Sequence, residues 1–214
     1  VYGEGYSMLT QYVGTIDSVA SITKYSDNGH YKIPQAEGFN TVYNLALFSP
    51  MSDHHLIMAF TSCNRFNGEI RFRQGLIEIV LVTDGVRLEP GETWDLEHFI
   101  MLEGPDYNKL FQQVGEAIRT NHPLLKVEEI PTGWCSWYWY GPTVTEDDIV
   151  ANMNQMSAEY PEIKHVLIDD GYQAYMGDWL TPGPAFKDMK ELCRSIMDKG
   201  LEPFIWVAPF IAEQ

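Results

Sequence analysis

Two adjacent acids, Asp169 and Asp170, follow the apolar run Val166-Leu167-Ile168 and precede Gly171-Tyr172. Three aromatic segments accompany them: Gly133-Trp134-Cys135-Ser136-Trp137-Tyr138, Gly177-Asp178-Trp179 and Phe204-Ile205-Trp206-Val207-Ala208-Pro209-Phe210. A carboxylate accepts hydrogen bonds and cannot donate them, so the pair suits a ligand rimmed with hydroxyl donors. Aromatic rings supply flat apolar surfaces. A sugar ring presents both features, a face of C–H groups and an edge of hydroxyls. The doublet does not suit the reacting pair of a glycosidase. Those carboxylates flank the scissile bond, about 5–5.5 Å apart for retention and about 6.5–9.5 Å for inversion.

Positioning such a group is the work of strand ends. After Pro131 the apolar runs at 132–137, 165–168 and 203–207 alternate with helical stretches at 145–159 and 186–199. Thr145 with Asp148 reads as a capping box, and Gly200 as a helix stop. The series is β-α-β-α-β, which requires parallel strands and fits an opening (β/α)8 barrel or a doubly wound sheet. Ligands bind at the C-terminal ends of such strands. Trp137 and Tyr138 are expected to end the first strand, Asp169 and Asp170 the second, and Trp206 the third. Trp179, in a Gly-Asp-Trp loop, is expected to be exposed.

Each residue has a plainer reading. A single Asp after a strand often caps loop amides, but a doublet followed by a permissive glycine favours ligand contact. Trp134, inside a strand run, belongs to the core. Trp137 and Trp206 could equally line a rim or pack beneath one, and Tyr138 and Tyr172 could offer a hydroxyl or only bury a ring. Cys135 has no histidine nearby and reads as a small buried hydrophobe. Asp53-His54-His55 reads as a solvated loop, since adjacent residues rarely converge on one metal ion.

The first hundred residues have a different texture. Runs at 39–49, 56–63, 69–73, 76–82 and 93–101 are rich in Val, Ile, Thr, Phe and Tyr. Turn signals separate them: Asp27-Asn28-Gly29, Ser49-Pro50, Asn67-Gly68, Asp84-Gly85 and Pro90-Gly91. An antiparallel sandwich is expected. Residues 106–121 then carry apolar positions at helical spacing behind Asp106, a connecting helix leading into an extended linker.

Composition narrows the function classes. Fourteen basic against 30 acidic residues give a net charge of −16, which repels phosphate backbones and anionic lipid. Nucleic acid and membrane partners are therefore not expected, whereas a neutral sugar is indifferent to this field. The three cysteines lie far apart, with no CxxC pair, and suggest neither a disulfide framework nor zinc. Free thiols fit a reducing, cytoplasmic setting. The longest apolar runs are too short to span a bilayer. Phosphate-binding, nucleophile-elbow and zinc-protease signatures are absent.

Taken in order, Gly133-Trp134-Cys135-Ser136-Trp137-Tyr138, Ile168-Asp169-Asp170-Gly171-Tyr172-Gln173, Gly177-Asp178-Trp179 and residues 200–210 resemble the first three strand segments of glycoside hydrolase family 36 α-galactosidases. The β-rich half resembles, less specifically, the end of that family's N-terminal β-supersandwich. The resemblance implies a multi-domain α and β protein: a partial antiparallel β-sandwich at 1–103, a helix and linker at 104–130, and the start of a (β/α)8 barrel at 131–214. It implies a retaining α-galactosidase acting on terminal α-galactosides of the melibiose and raffinose type, without cofactor or metal, as a homo-oligomer. Asp169 and Asp170 match the acidic pair that holds sugar hydroxyls; Trp137, Tyr138 and Trp206 match aromatic positions of the galactose pocket. The family's nucleophile and acid/base match no residue here and are expected beyond Gln214, so the chain alone is expected to be inactive. Galactosyl transfer, α-N-acetylgalactosaminidase action and a non-catalytic sugar-binding remnant are the alternatives.

Overall fold

The computed structural model describes residues 1–124, 126 and 130–209, and the chain divides into two units, Val1–Leu125 and Lys126–Gln214. The first unit builds two sheets from short, turn-bounded strands. These are β1 (Tyr2–Glu4), β2 (Gln11–Gly14), β3 (Val19–Ser21), β4 (Asn40–Tyr43), β5 (Leu45–Met51), β6 (His54–Phe60), β7 (Asn67–Arg73), β8 (Leu76–Val82) and β9 (Phe99–Gly104). Six form one sheet in the order β3-β2-β1-β5-β6-β9, and β4-β7-β8 form the other. Every pairing in both is antiparallel.

The two-residue period of a strand sorts the core into two layers. Ala46, Phe48, Met58 and Phe60 pack with Val42, Ile70 and Phe72 of the smaller sheet. Their neighbours Leu45, Leu47, Ile57, Ala59, Ile100 and Leu102 face the other way and meet Leu110, Phe111 and Val114. These last three lie on α1 (Tyr107–Asn121), whose N-terminus is capped by Asp106 accepting from the amides of Asn108 and Lys109. The larger sheet is thus covered on both faces, and the helix completes the first unit's core.

Three expectations are corrected here. The run at 39–49 is not one strand: Asn44, at φ 61°, breaks it into β4 and β5, which belong to different sheets. Its amide donates to Gly68 O at 3.1 Å and its carbonyl accepts from Phe60 N at 2.7 Å, tying the two sheets together. Asn67-Gly68 is not a turn but the start of β7. A Cβ at Gly68 would stand 2.2 Å from the Phe60 ring, so the glycine permits a close approach rather than a reversal. Asp53-His54-His55 is no solvated loop either, because His54 and His55 open β6 and His55 is buried with its Nδ1 2.7 Å from Ser49 Oγ.

The second unit runs β10 (Gly133–Cys135), α2 (Trp137–Tyr140), a 3-10 turn at Gly141–Thr143, α3 (Glu146–Glu159), β11 (His165–Ile168), α4 (Met189–Asp198) and β12 (Glu202–Ile205). The three strands form one parallel sheet in sequence order. Thr145 and Asp148 make the reciprocal capping box, and Asp188 caps α4 by accepting from Glu191 N. Gly200, at φ 75°, ends that helix with its amide 2.9 Å from Met197 O. Ile149, Met153 and Met156 of α3 and Leu192 and Ile196 of α4 bury Val166 and Ile168, with Trp134 against them. Cys135, Leu167 and Phe204 are in register with one another and alternate with those buried positions. They therefore share the opposite face, on which none of the described helices packs.

Candidate functional site

Asp169 is the first residue past β11. Continuing the strand's alternation puts it on the helix-free face with Cys135 and Leu167. The side chain is held there: Cys135 Sγ donates to Oδ2 at 3.2 Å, and the amide of Asp170 donates to Oδ1 at 2.8 Å. Its own amide donates to Ser136 Oγ at 3.0 Å. Ser136 is fully buried, and its amide donates to Leu167 O at 3.2 Å, carrying the parallel pairing one residue past β10.

Ser136 also stops the strand. Its helical backbone, at φ −68° and ψ −27°, starts α2, and Tyr140 N closes the turn on Ser136 O at 3.0 Å. Trp137 and Tyr138 consequently do not end the first strand, as the sequence suggested. They stand on α2, one and two residues beyond the Ser136 contact, with side chains 42% and 88% exposed.

Asp170 is bound within its own loop. Gln173 Nε2 donates to Oδ1 at 2.6 Å, and Gln173 Oε1 accepts from Gly171 N at 3.1 Å. Gly171 sits at φ 114°, where a Cβ would fall 2.6 Å from Pro142 O. Only glycine lets the loop lie against the 3-10 turn in this conformation. Tyr172 is a core residue, not a ligand group: it is buried, and its carbonyl accepts from Gly183 N at 2.7 Å. Burial, then the Asp170 charge, pushes its phenol pKa up.

The third strand contributes Trp206, whose amide donates to Ile168 O at 2.9 Å just before Asp169. Its ring meets Trp179 edge-on, 5.7 Å between centroids at 82°. Trp179 was expected to be exposed but is half-buried against the core of the unit. An indole has a large apolar area to bury, and here the loop lays it on that core. Among the described residues, no group of three or more His, Cys, Asp or Glu side chains could share a metal ion.

Sequence reasoning missed Cys135, Ser136 and Gln173. Cys135 is half-buried, and burial, helped by the adjacent Asp169 carboxylate, raises its thiol pKa against the lowering influence of the Trp137 and Tyr138 amides. It stays a neutral S–H at physiological pH and can donate. It pairs in register with Leu167, two residues before the acid, so only the strand pairing brings its thiol to Asp169. The chemical result is a pair of carboxylates at a parallel strand end, Asp169 bound by Cys135 and Asp170 by Gln173, with the exposed Trp137 and Tyr138 following β10 and the Trp179–Trp206 ring contact just past β12.

No protein-family model matches the sequence. Among solved structures, the chain is similar to a GH36 α-galactosidase from Geobacillus stearothermophilus in complex with 1-deoxygalactonojirimycin, with TM-score 0.60 and 16% identity over 97% of this chain and 31% of that one. An α-galactosidase from Lactobacillus brevis matches at TM-score 0.59 and 14% identity, over 97% of this chain and 30% of that chain. An α-galactosidase from Thermus thermophilus, in complex with p-nitrophenyl α-D-galactopyranoside, matches at TM-score 0.57 and 20% identity, over 79% and 31%. The chain spans about a third of the length of these enzymes. Its antiparallel sandwich and three parallel strands have the fold of the corresponding third of α-galactosidases, including one of glycoside hydrolase family 36.

Proposed function

We propose that this chain is the sandwich and opening barrel portion of a retaining family 36 α-galactosidase, and that its strand ends grip the galactosyl group. The observation that carries the reading is Asp169, fixed at the end of the central parallel strand on the face no described helix covers. A carboxylate held by neutral donors and with lone pairs to spare is an acceptor for sugar hydroxyls. Asp170 takes a second hydroxyl, with its carboxylate turned by Gln173. Trp137, Tyr138, Trp179 and Trp206 supply apolar faces for the C–H side of the ring. The sequence motifs at all these positions support the same reading, as does the likeness to α-galactosidases solved with galactosides bound.

In this reading the chain binds and orients, and bond breaking belongs to two carboxylates carried elsewhere in the whole enzyme. No residue here is proposed for either role. The test uses the full-length protein and the 214-residue chain side by side on melibiose and raffinose. The full-length protein should release galactose with retained anomeric configuration, followed by proton NMR, while the chain alone releases none. Transfer products without free galactose would reassign the scaffold to galactosyl transfer. Turnover by the purified chain, or inversion, would overturn the reading.

A further inference from the structure

The two acids are held by two different neutral donors. Cys135 reaches across from β10 to Asp169 Oδ2, and Gln173 reaches back within the loop to Asp170 Oδ1. Both donors are themselves fixed. Cys135 is paired in register with Leu167, and the next residue, Ser136, binds Asp169's amide. Gln173 is bridged through its backbone to Pro182, and its side-chain oxygen holds Gly171 N. None of the ion pairs among the described residues involves Asp169 or Asp170.

This choice of donor has a consequence. A lysine or arginine at either place would orient the carboxylate but also neutralise it. A thiol or an amide fixes the rotamer and leaves the negative charge to strengthen bonds from incoming hydroxyls. We propose that Cys135 and Gln173 are positioning residues, each setting one carboxylate of the Asp169-Asp170 pair at the angle that receives a galactosyl hydroxyl. The inference rests on the proposed function of the pair. Burial first, and then the adjacent carboxylate, push the Cys135 thiol pKa up against the lowering by the Trp137 and Tyr138 amides, which favours the protonated form that a donor needs.

The test uses four variants of the full-length protein. Cys135→Val keeps the volume without the donor, and Cys135→Ser keeps a donor. Gln173→Met keeps the length without the amide, and Asp169→Leu removes the acceptor. KM for p-nitrophenyl α-galactoside should rise about 3- to 10-fold in Cys135→Val and in Gln173→Met, the range for one lost hydrogen bond, with kcat changed less. Cys135→Ser should lie near wild type. Equal impairment of the Val and Ser variants, or an unchanged KM in both Cys135→Val and Gln173→Met, would overturn the proposal.

An infrared measurement separates this from the functional reading. The Cys135 S–H stretch, identified by its loss in Cys135→Val, should lie below the free-thiol position and return to it in Asp169→Leu. A free-thiol band in wild type overturns the clamp on Asp169. Absence of activity on any α-galactoside overturns the proposed function, and the infrared band still decides the clamp.

Discussion

Glu97 collects four donors: Ser62 Oγ and the amides of Asn64, Arg65 and Phe66. Desolvation is the largest single influence on its carboxyl and acts upward, but the four hydrogen bonds together outweigh it and hold the pKa at about 2. The folded value lies below the ordinary 4.5, so the stabilisation is complete above about pH 4.5 and lost as pH falls toward about 2. Glu97→Gln should therefore melt below wild type at neutral pH, with the gap closing on acidification. Thermal melts from pH 7 to pH 2 check this; a gap independent of pH would contradict it. The donors of Asp169 and Asp170 do different work. They number one side chain each, and they leave acceptor capacity for something else.

At the scale of the element, close approach explains where local signals misled. Gly68 lies under the Phe60 ring of the facing sheet. Gly68→Ala should destabilise the chain by about 1–3 kcal/mol through overpacking. Urea unfolding measures this, and a change below about 0.5 kcal/mol, the range of an ordinary surface substitution, would contradict the close approach. Asn67-Gly68 carries the same letters as a hairpin turn, and nothing in a short window distinguishes the two. Asn44 likewise sits inside an unbroken β-forming run, yet it carries the chain from one sheet to the other.

What was legible was local. β8 occupies 76–82 as its run of β-forming residues indicated, and the Asp106 cap, the Thr145-Asp148 box and the Gly200 stop are all present. The acids' place after β11 followed from one apolar run and one doublet. The end of β10 did not, because it is set by the helical backbone of Ser136, whose carbonyl accepts from Tyr140 N, inside a run that reads as β-forming. Trp137 and Tyr138 moved from strand to helix for that reason. The donors to the acids were illegible for a different one: Cys135 meets Asp169 only once two strands 34 residues apart are in register.

The whole molecule joins an antiparallel sandwich and a parallel β/α sheet in one strongly acidic chain of net charge −16. Its shape in each part follows from where apolar residues recur, and its chemistry from what the parallel strands bring to their C-terminal ends. Binding at those ends is the central claim, and Asp169 is its most exposed point. Steady-state kinetics of the full-length protein and its Asp169→Asn variant on p-nitrophenyl α-galactoside test it directly. Loss of charge-assisted hydrogen bonds should lower kcat/KM about 10- to 150-fold without loss of folded protein. Kinetics within about twofold of wild type, well inside the effect of a single hydrogen bond, would remove Asp169 from the sugar site.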